Sequence, residues 1–209
     1  MIPVFIDLKG RRTVVFGGGP VGFRKASYLA QESDVTVVSR EFVPEFQSSR
    51  IARVTADIRE VMDEWIERSD FVVAATDDKD INDAISRKGK ALGKYCNRAD
   101  GMSDFIIPST ITKRNYTVAV STLGKSPGMS KYLRLHLDEM LEPRFEQMVD
   151  LQEALRTELK AKVPDQRERE RLLWKVLDDQ AVWDALGDDI GPAKKIAMTR
   201  MVRKDGQHH

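Results

Sequence analysis

The sequence predicts an α/β fold: a doubly wound parallel sheet in the first hundred residues, a small mixed centre and a helical tail. Three observations predict it. Short β-branched apolar runs alternate with helical stretches up to about residue 100. Two further strand-like runs then follow one another with no helix between them. From Ser126 onward the apolar residues fall at helical spacing, interrupted by Pro and Gly.

The elements follow in order. Thr13-Val14-Val15-Phe16, Val35-Thr36-Val37-Val38 and Phe71-Val72-Val73-Ala74-Ala75 are continuous apolar runs. Such runs fit strands buried on both faces of a parallel sheet. Helical stretches lie between and after them: Val21 to about Gln31, Val61 to about Glu67, and Ile81 to about Leu92. Phe105-Ile106-Ile107 and Tyr116-Thr117-Val118-Ala119-Val120 are expected as an antiparallel pair, joined through the polar Thr110 to Asn115 stretch. Ser126-Pro127 is a helix start, because Ser accepts a bond from a free N–H and Pro fits the first helical position. That helix should run to about Leu141 and stop near Pro143, with Met129, Tyr132, Leu133, Leu137, Met140 and Leu141 at helical spacing. From Arg144 several helices are expected, broken near Pro164, Gly187 and Pro192. Their core residues are Leu172, Leu173, Val176, Leu177, Val182, Trp183 and Leu186.

Composition narrows the function. The chain has 209 residues, enough for one large domain or two small ones. Its 34 Lys+Arg nearly cancel 33 Asp+Glu, leaving +1. That balance argues against nucleic acid or an anionic membrane as the main partner. The single cysteine, Cys96, excludes an internal disulfide and Cys-rich zinc sites, and it is expected at the end of a strand, buried and inert. Two of the three histidines are the last two residues, so a catalytic zinc or a Ser-His-Asp triad would rest on His136 alone. No protein-built metal site is expected. The N-terminus has no long apolar stretch of a signal peptide, and no apolar run approaches the roughly 18 residues of a membrane span. A cytoplasmic, reduced protein is expected.

Gly17-Gly18-Gly19-Pro20-Val21-Gly22 carries G-x-G-x-x-G at positions 17, 19 and 22, directly after a strand and opening a helix. In that context the first glycine permits a tight turn and the second lets backbone approach a pyrophosphate. The third lets helix and strand pack closely, and the helix N-terminus supplies free N–H groups for the anion. A Rossmann-type dinucleotide site follows. At the end of the second strand Arg40 comes first and Glu41 one residue late, which favours NAD only slightly over NADP by the usual rules. Thr76-Asp77-Asp78-Lys79 follows another strand and so sits at the carboxyl edge of the sheet, either as a ligand contact or as a loop with an Asp helix cap.

Further segments complete an ordered set. Asp7-Leu8-Lys9-Gly10-Arg11 precedes the glycine loop, which continues Phe23-Arg24-Lys25-Ala26. Ala74-Ala75-Thr76-Asp77-Asp78 follows, then Cys96-Asn97-Arg98-Ala99-Asp100, Phe105-Ile106-Ile107-Pro108-Ser109, Val118-Ala119-Val120-Ser121-Thr122 and Gly124-Lys125-Ser126-Pro127. The set resembles the precorrin-2 dehydrogenase family, including the N-terminal module of siroheme synthase, over nearly the whole chain.

The resemblance implies NAD-dependent oxidation of precorrin-2 to sirohydrochlorin in sirohaem biosynthesis. It implies a homodimer assembled through the central region, and in some members insertion of Fe²⁺ into sirohydrochlorin. The corresponding layout is residues 1–112 for the NAD-binding domain, 113–149 for a small mixed α+β dimerisation region and 150–209 for a helical C-terminal domain. Asp100 matches the family's essential aspartate, a carboxylate able to take a proton as hydride leaves the substrate. Gly17, Gly19, Pro20, Val21, Gly22, Arg40, Glu41, Thr76 and Asp77 are the expected cofactor contacts. Asn97, Lys125 and Ser126 are expected to meet the polycarboxylate substrate, the last two at a helix N-terminus suited to anions. A competing expectation, a regulatory dinucleotide-binding module without chemistry, explains the glycine loop but not Asn97 to Asp100 or Ser126-Pro127.

Overall fold

A computed structural model describes residues 1–202 of the chain. The terminal pair His208-His209 lies outside them. The chain divides into two compact units, Met1–Ile107 and a second beginning at Pro108.

In the first unit five parallel strands form one sheet: β1 (Arg12–Phe16), β2 (Asp34–Ser39), β3 (Ala52–Thr55), β4 (Phe71–Ala74) and β5 (Tyr95–Arg98), in the order β3-β2-β1-β4-β5. Helix α1 (Pro20–Leu29) follows β1, α2 (Ile58–Glu67) follows β3, and α3 (Lys79–Ala91) follows β4. The order reverses between β1 and β4, and a doubly wound sheet opens a crevice at that point, outside the carboxyl ends of its strands.

The sheet is buried on both faces. Val14, Phe16, Val38, Val72 and Ala74 pack beneath Ile58, Ile66 and Ile85 of α2 and α3. On the other face Val15, Val37, Val73 and Ala75 pack with Ala26 and Leu29 of α1 and with Phe46. β4 is apolar at every position, and β1 and β2 carry their buried apolar residues at Val14–Phe16 and at Val35, Val37 and Val38. β3 is different: three of its four residues are exposed, and no apolar run marks it in the sequence.

One expected strand is absent. Phe105-Ile106-Ile107 is irregular chain, and Phe105 and Ile107 pack on the α1 face of the sheet instead of pairing. The antiparallel pair begins two residues later, as β6 (Ser109–Thr112) with β7 (Thr117–Val120). Pro108, which has no N–H to donate, stands just before it. Cys96 is second in β5 rather than at its end.

The second unit continues with α4 (Pro127–Met140), α5 (Pro143–Lys162), α6 (Gln166–Leu177), α7 (Gln180–Asp184) and α8 (Gly191–Val202). Pro143 starts α5, so it both ends one helix and opens the next. Met148, Leu151, Leu155, Val176, Val182, Ala193 and Ala197 form the core, joined by the expected Leu173, Leu177, Trp183 and Leu186. A boundary at 112/113 would part β6 from β7, and one at 149/150 falls inside α5. Among the described residues no helix is long and apolar enough to cross a membrane.

Candidate active site

The glycine loop turns immediately after β1. Gly17 has φ +117°, a region closed to ordinary side chains, and a Cβ there would collide with the Ala75 carbonyl. A Cβ at Gly22 would strike the carbonyl of Gly17, so this glycine sets how closely α1 approaches the loop. Gly18, outside the motif positions, is held as tightly: the Glu41 carbonyl occupies the space a Cβ would need, and the Val43 N–H donates to Gly18 O over 2.9 Å. Gly19 is the exception. It is the N-cap of α1, makes no side-chain cap, and a Cβ there would meet nothing within 4 Å. The first N–H groups of α1 thus lack an internal partner and border open space.

That space is a cleft of about 740 Å³ at the carboxyl ends of the strands. Gly17, Gly19, Pro20, Val21, Arg40, Glu41, Thr76 and Asp77 all line it. Gly22 does not; it is buried beneath, in the packing of α1. The uncapped helix start and the room at Gly19 fit the pyrophosphate of a dinucleotide. The guanidinium of Arg40 is paired with Asp57, so it is not a free cation for a 2′-phosphate. Asp57 also caps α2, and the Arg59 N–H together with Arg40 holds its carboxyl below the ordinary range.

The Thr76 turn is built by a residue the sequence did not single out. Asn82, fully buried on α3, accepts from the Thr76 N–H (3.1 Å) and hydroxyl (2.8 Å) and donates back to the Thr76 carbonyl (3.0 Å). Asp78 caps α3 and pairs with Arg59 at 2.7 Å. Asp77 is exposed.

Ala99 lines the same cleft, and Asp100 follows it. The Arg98 guanidinium donates to Asp100 Oδ1 from Nε (3.2 Å) and Nη2 (3.1 Å) and also pairs with Asp83. Burial pushes the Asp100 carboxyl up, but the Asn82 amide and Arg98 outweigh it and hold it below the usual carboxylate range. Asp100 is therefore ionised at neutral pH. Behind it the chain folds back on β5: Asp104 accepts the Cys96 N–H at 3.1 Å and its own N–H bonds Cys96 O at 2.8 Å.

Asn97 is buried, and both ends of its amide are engaged inside the first unit. Nδ2 donates to Phe105 O at 2.8 Å, and Oδ1 accepts from Lys25 Nζ. Lys25 lies 72 positions away in sequence, which is why sequence spacing gives no sign of it. Asn97 thus links α1 to the Asp100 segment.

Lys125 and Ser126 belong to the second unit. Ser126 is the N-cap of α4, its hydroxyl accepting from the Met129 N–H at 3.2 Å, and Thr122 Oγ1 accepts the Ser126 N–H at 3.0 Å. Lys125 is exposed beside them. Among the described residues no group of three or more His, Cys, Asp and Glu converges as a metal site.

Known proteins match this arrangement. Residues 4–109 match a family model described as "Putative NAD(P)-binding". The precorrin-2 dehydrogenase of Methanosarcina barkeri is 34% identical over 204 residues, covering 94% of this chain and 91% of that one. A siroheme synthase of Thioalkalivibrio sulfidiphilus is 34% identical over 180 residues, 84% of this chain and 37% of the longer protein. The solved structure of SirC, precorrin-2 dehydrogenase, shares the fold: the TM-score is 0.71 over 98% of this chain and 100% of that one, at 24% identity. A dinucleotide cleft on a sheet of this order, joined to that identity along almost the full length, has one reading: the chain belongs to the precorrin-2 dehydrogenase family.

Proposed function

We propose that this protein oxidises precorrin-2 to sirohydrochlorin with NAD⁺, as a cytoplasmic enzyme of sirohaem biosynthesis, and that Asp100 is its catalytic residue. The supporting observation is the ionised Asp100 carboxylate directly after the cleft-lining Ala99, in a chain of this family.

The reaction removes two hydrogens from the macrocycle, one as hydride and one as a proton. Bound NAD⁺ supplies the hydride acceptor. The start of α1 binds its pyrophosphate, and Arg40, Glu41, Thr76 and Asp77 bound the rest of the cleft. Arg98 orients Asp100 through Oδ1 and leaves the carboxylate charged, ready to accept the proton. In the second unit the exposed Lys125, beside the Ser126-capped start of α4, is the cation offered to a carboxylate of this polyanionic substrate. The β6–β7 pair with α4 is the dimerising centre. Met129, Tyr132 and Met140 stand exposed on α4 by 44%, 53% and 67%, an apolar surface suited to a second copy.

The test is a direct assay. Purified protein with NAD⁺ and precorrin-2 should yield sirohydrochlorin with NADH absorbance, and Asp100→Asn should be folded and at least roughly 100-fold slower. A folded wild type giving no NAD⁺-dependent change overturns the reading. A fully active Asp100→Asn removes Asp100 as the catalytic residue, and a folded wild type that binds NAD⁺ without turnover favours the regulatory-module alternative. Sirohydrochlorin with Fe²⁺ or Co²⁺, without NAD⁺, reads metal insertion separately; uptake no faster than the uncatalysed rate removes that activity.

A further inference from the structure

Asn97 pairs in register with Val73, and Val73 points into the face of the sheet covered by α1. Partners in register share a face, so the Asn97 amide is delivered to α1. Its Nδ2 is fixed on Phe105 O, which leaves Oδ1 aimed at Lys25 Nζ. Lys25 enters none of the ion pairs found among the described residues, and its one hydrogen-bond acceptor there is this neutral amide. The nearby charges are Arg24 on its own helix and Asp100 in the loop after β5, with Arg98 and Asp83 behind Asp100. Lys25 thus starts from the helix that opens at the glycine loop and reaches the segment that carries the acid.

We propose that Lys25 is a positioning residue for the Asp100 carboxylate, its ammonium tying the dinucleotide-binding helix to the Asn97–Asp100 segment. The inference rests on the reading that Asp100 acts in the dehydrogenation. Burial, helped by Arg24 and opposed by Asp100, pulls the Lys25 ammonium down to about 8. Lys25 therefore changes charge just above neutrality. Once neutral it can still donate to Asn97, but Asp100 has lost an attractive cation. The sign follows: turnover is full below about pH 8 and falls as pH rises through it.

The experiment measures kcat and KM for NAD⁺ and precorrin-2 from pH 6.5 to 9.5 in wild type, Lys25→Arg, Lys25→Met and Asp100→Asn, each checked by circular dichroism. Lys25→Met should lower kcat roughly 10- to 100-fold at pH 7 and lack the falling limb, while KM for NAD⁺ changes less than about threefold. Lys25→Arg, charged throughout, should restore much of kcat and move the limb to higher pH. A folded Lys25→Met with wild-type kcat, or one that keeps the limb near pH 8, overturns the proposal. If Lys25→Met does not fold, the Lys25→Arg limb decides: displaced upward supports it, unmoved overturns it. Wild type and Asp100→Asn separate the two failures, because an inactive wild type or an active Asp100→Asn refutes the underlying reading instead.

Discussion

Helices α1 and α4 both begin with proline behind a residue of extended backbone, Gly19 at φ −78°, ψ −177° and Ser126 at φ −150°, ψ 92°. Their first turns then diverge. Ser126 folds its hydroxyl onto the Met129 N–H, and Thr122 secures the Ser126 backbone. Gly19 offers no side chain at all, and the next glycine inside α1, Gly22, is wedged against the Gly17 carbonyl. One start is closed by its own sequence and the other is left open to an anion. The difference separates a helix that is stable as it stands from one whose free N–H groups wait for a ligand.

The largest break in this comparison is Gly22→Ala. Its Cβ meets backbone that cannot move aside, so the first unit should lose roughly 3 kcal/mol, read as a thermal midpoint lower by more than about 10 °C. Gly128→Ala, near the start of α4 with nothing within 4 Å of the added Cβ, should instead be neutral or stabilise by up to about 1 kcal/mol. Next comes Gly19→Asp. The side chain fits the open space, caps α1 and repels a pyrophosphate. Calorimetry should show NAD⁺ affinity falling about 100-fold, near 2.7 kcal/mol, with the midpoint unchanged or slightly raised. Ser126→Ala is the mirror experiment: about 1 kcal/mol lost on denaturant unfolding, with NAD⁺ affinity unaltered. The smallest effect is expected from Asp57→Asn. It keeps a good cap on α2 but releases Arg40, and NADP⁺ affinity should rise a few-fold, about 1 kcal/mol or less.

What could be read from sequence follows the reach of each interaction. β1, β2 and β4 were legible because strands buried on both faces carry short runs of apolar and β-branched residues. β3 was not, because an edge strand needs little apolar surface. Phe105-Ile106-Ile107 has the composition of a strand, yet its side chains cover the sheet and make no ladder; composition does not distinguish the two uses. Gly17, Gly19, Pro20, Val21, Arg40, Glu41, Thr76 and Asp77 could be picked out because loop and strand ends are local features, whereas Phe42, Val43, Asp57, Ile58 and Arg59 line the same cleft with no local signal to mark them. Asn82 and Lys25 were not, since an amide that builds a turn and an amine that reaches another strand depend on packing between distant segments. The exposed apolar face of α4 shows the same limit: helical spacing marks a stripe but not what lies against it.

The alternation of β5 has a consequence for redox hygiene. Asn97 faces α1, while its neighbour Cys96 faces the opposite side, packed so closely under α3 that a Cβ on Gly89 would collide with its sulfur. Burial, with Asp104 adding to it, pushes the thiol up to about 11. At neutral pH about one molecule in ten thousand then carries a thiolate. An enzyme that withdraws electrons from a reduced macrocycle thus keeps its only thiol one residue from the amide that holds Lys25, yet on the far side of the sheet from it. Thiol-directed alkylating agents should leave Cys96 of the folded protein unmodified, read as no added mass on that residue, and should modify it once the protein is denatured.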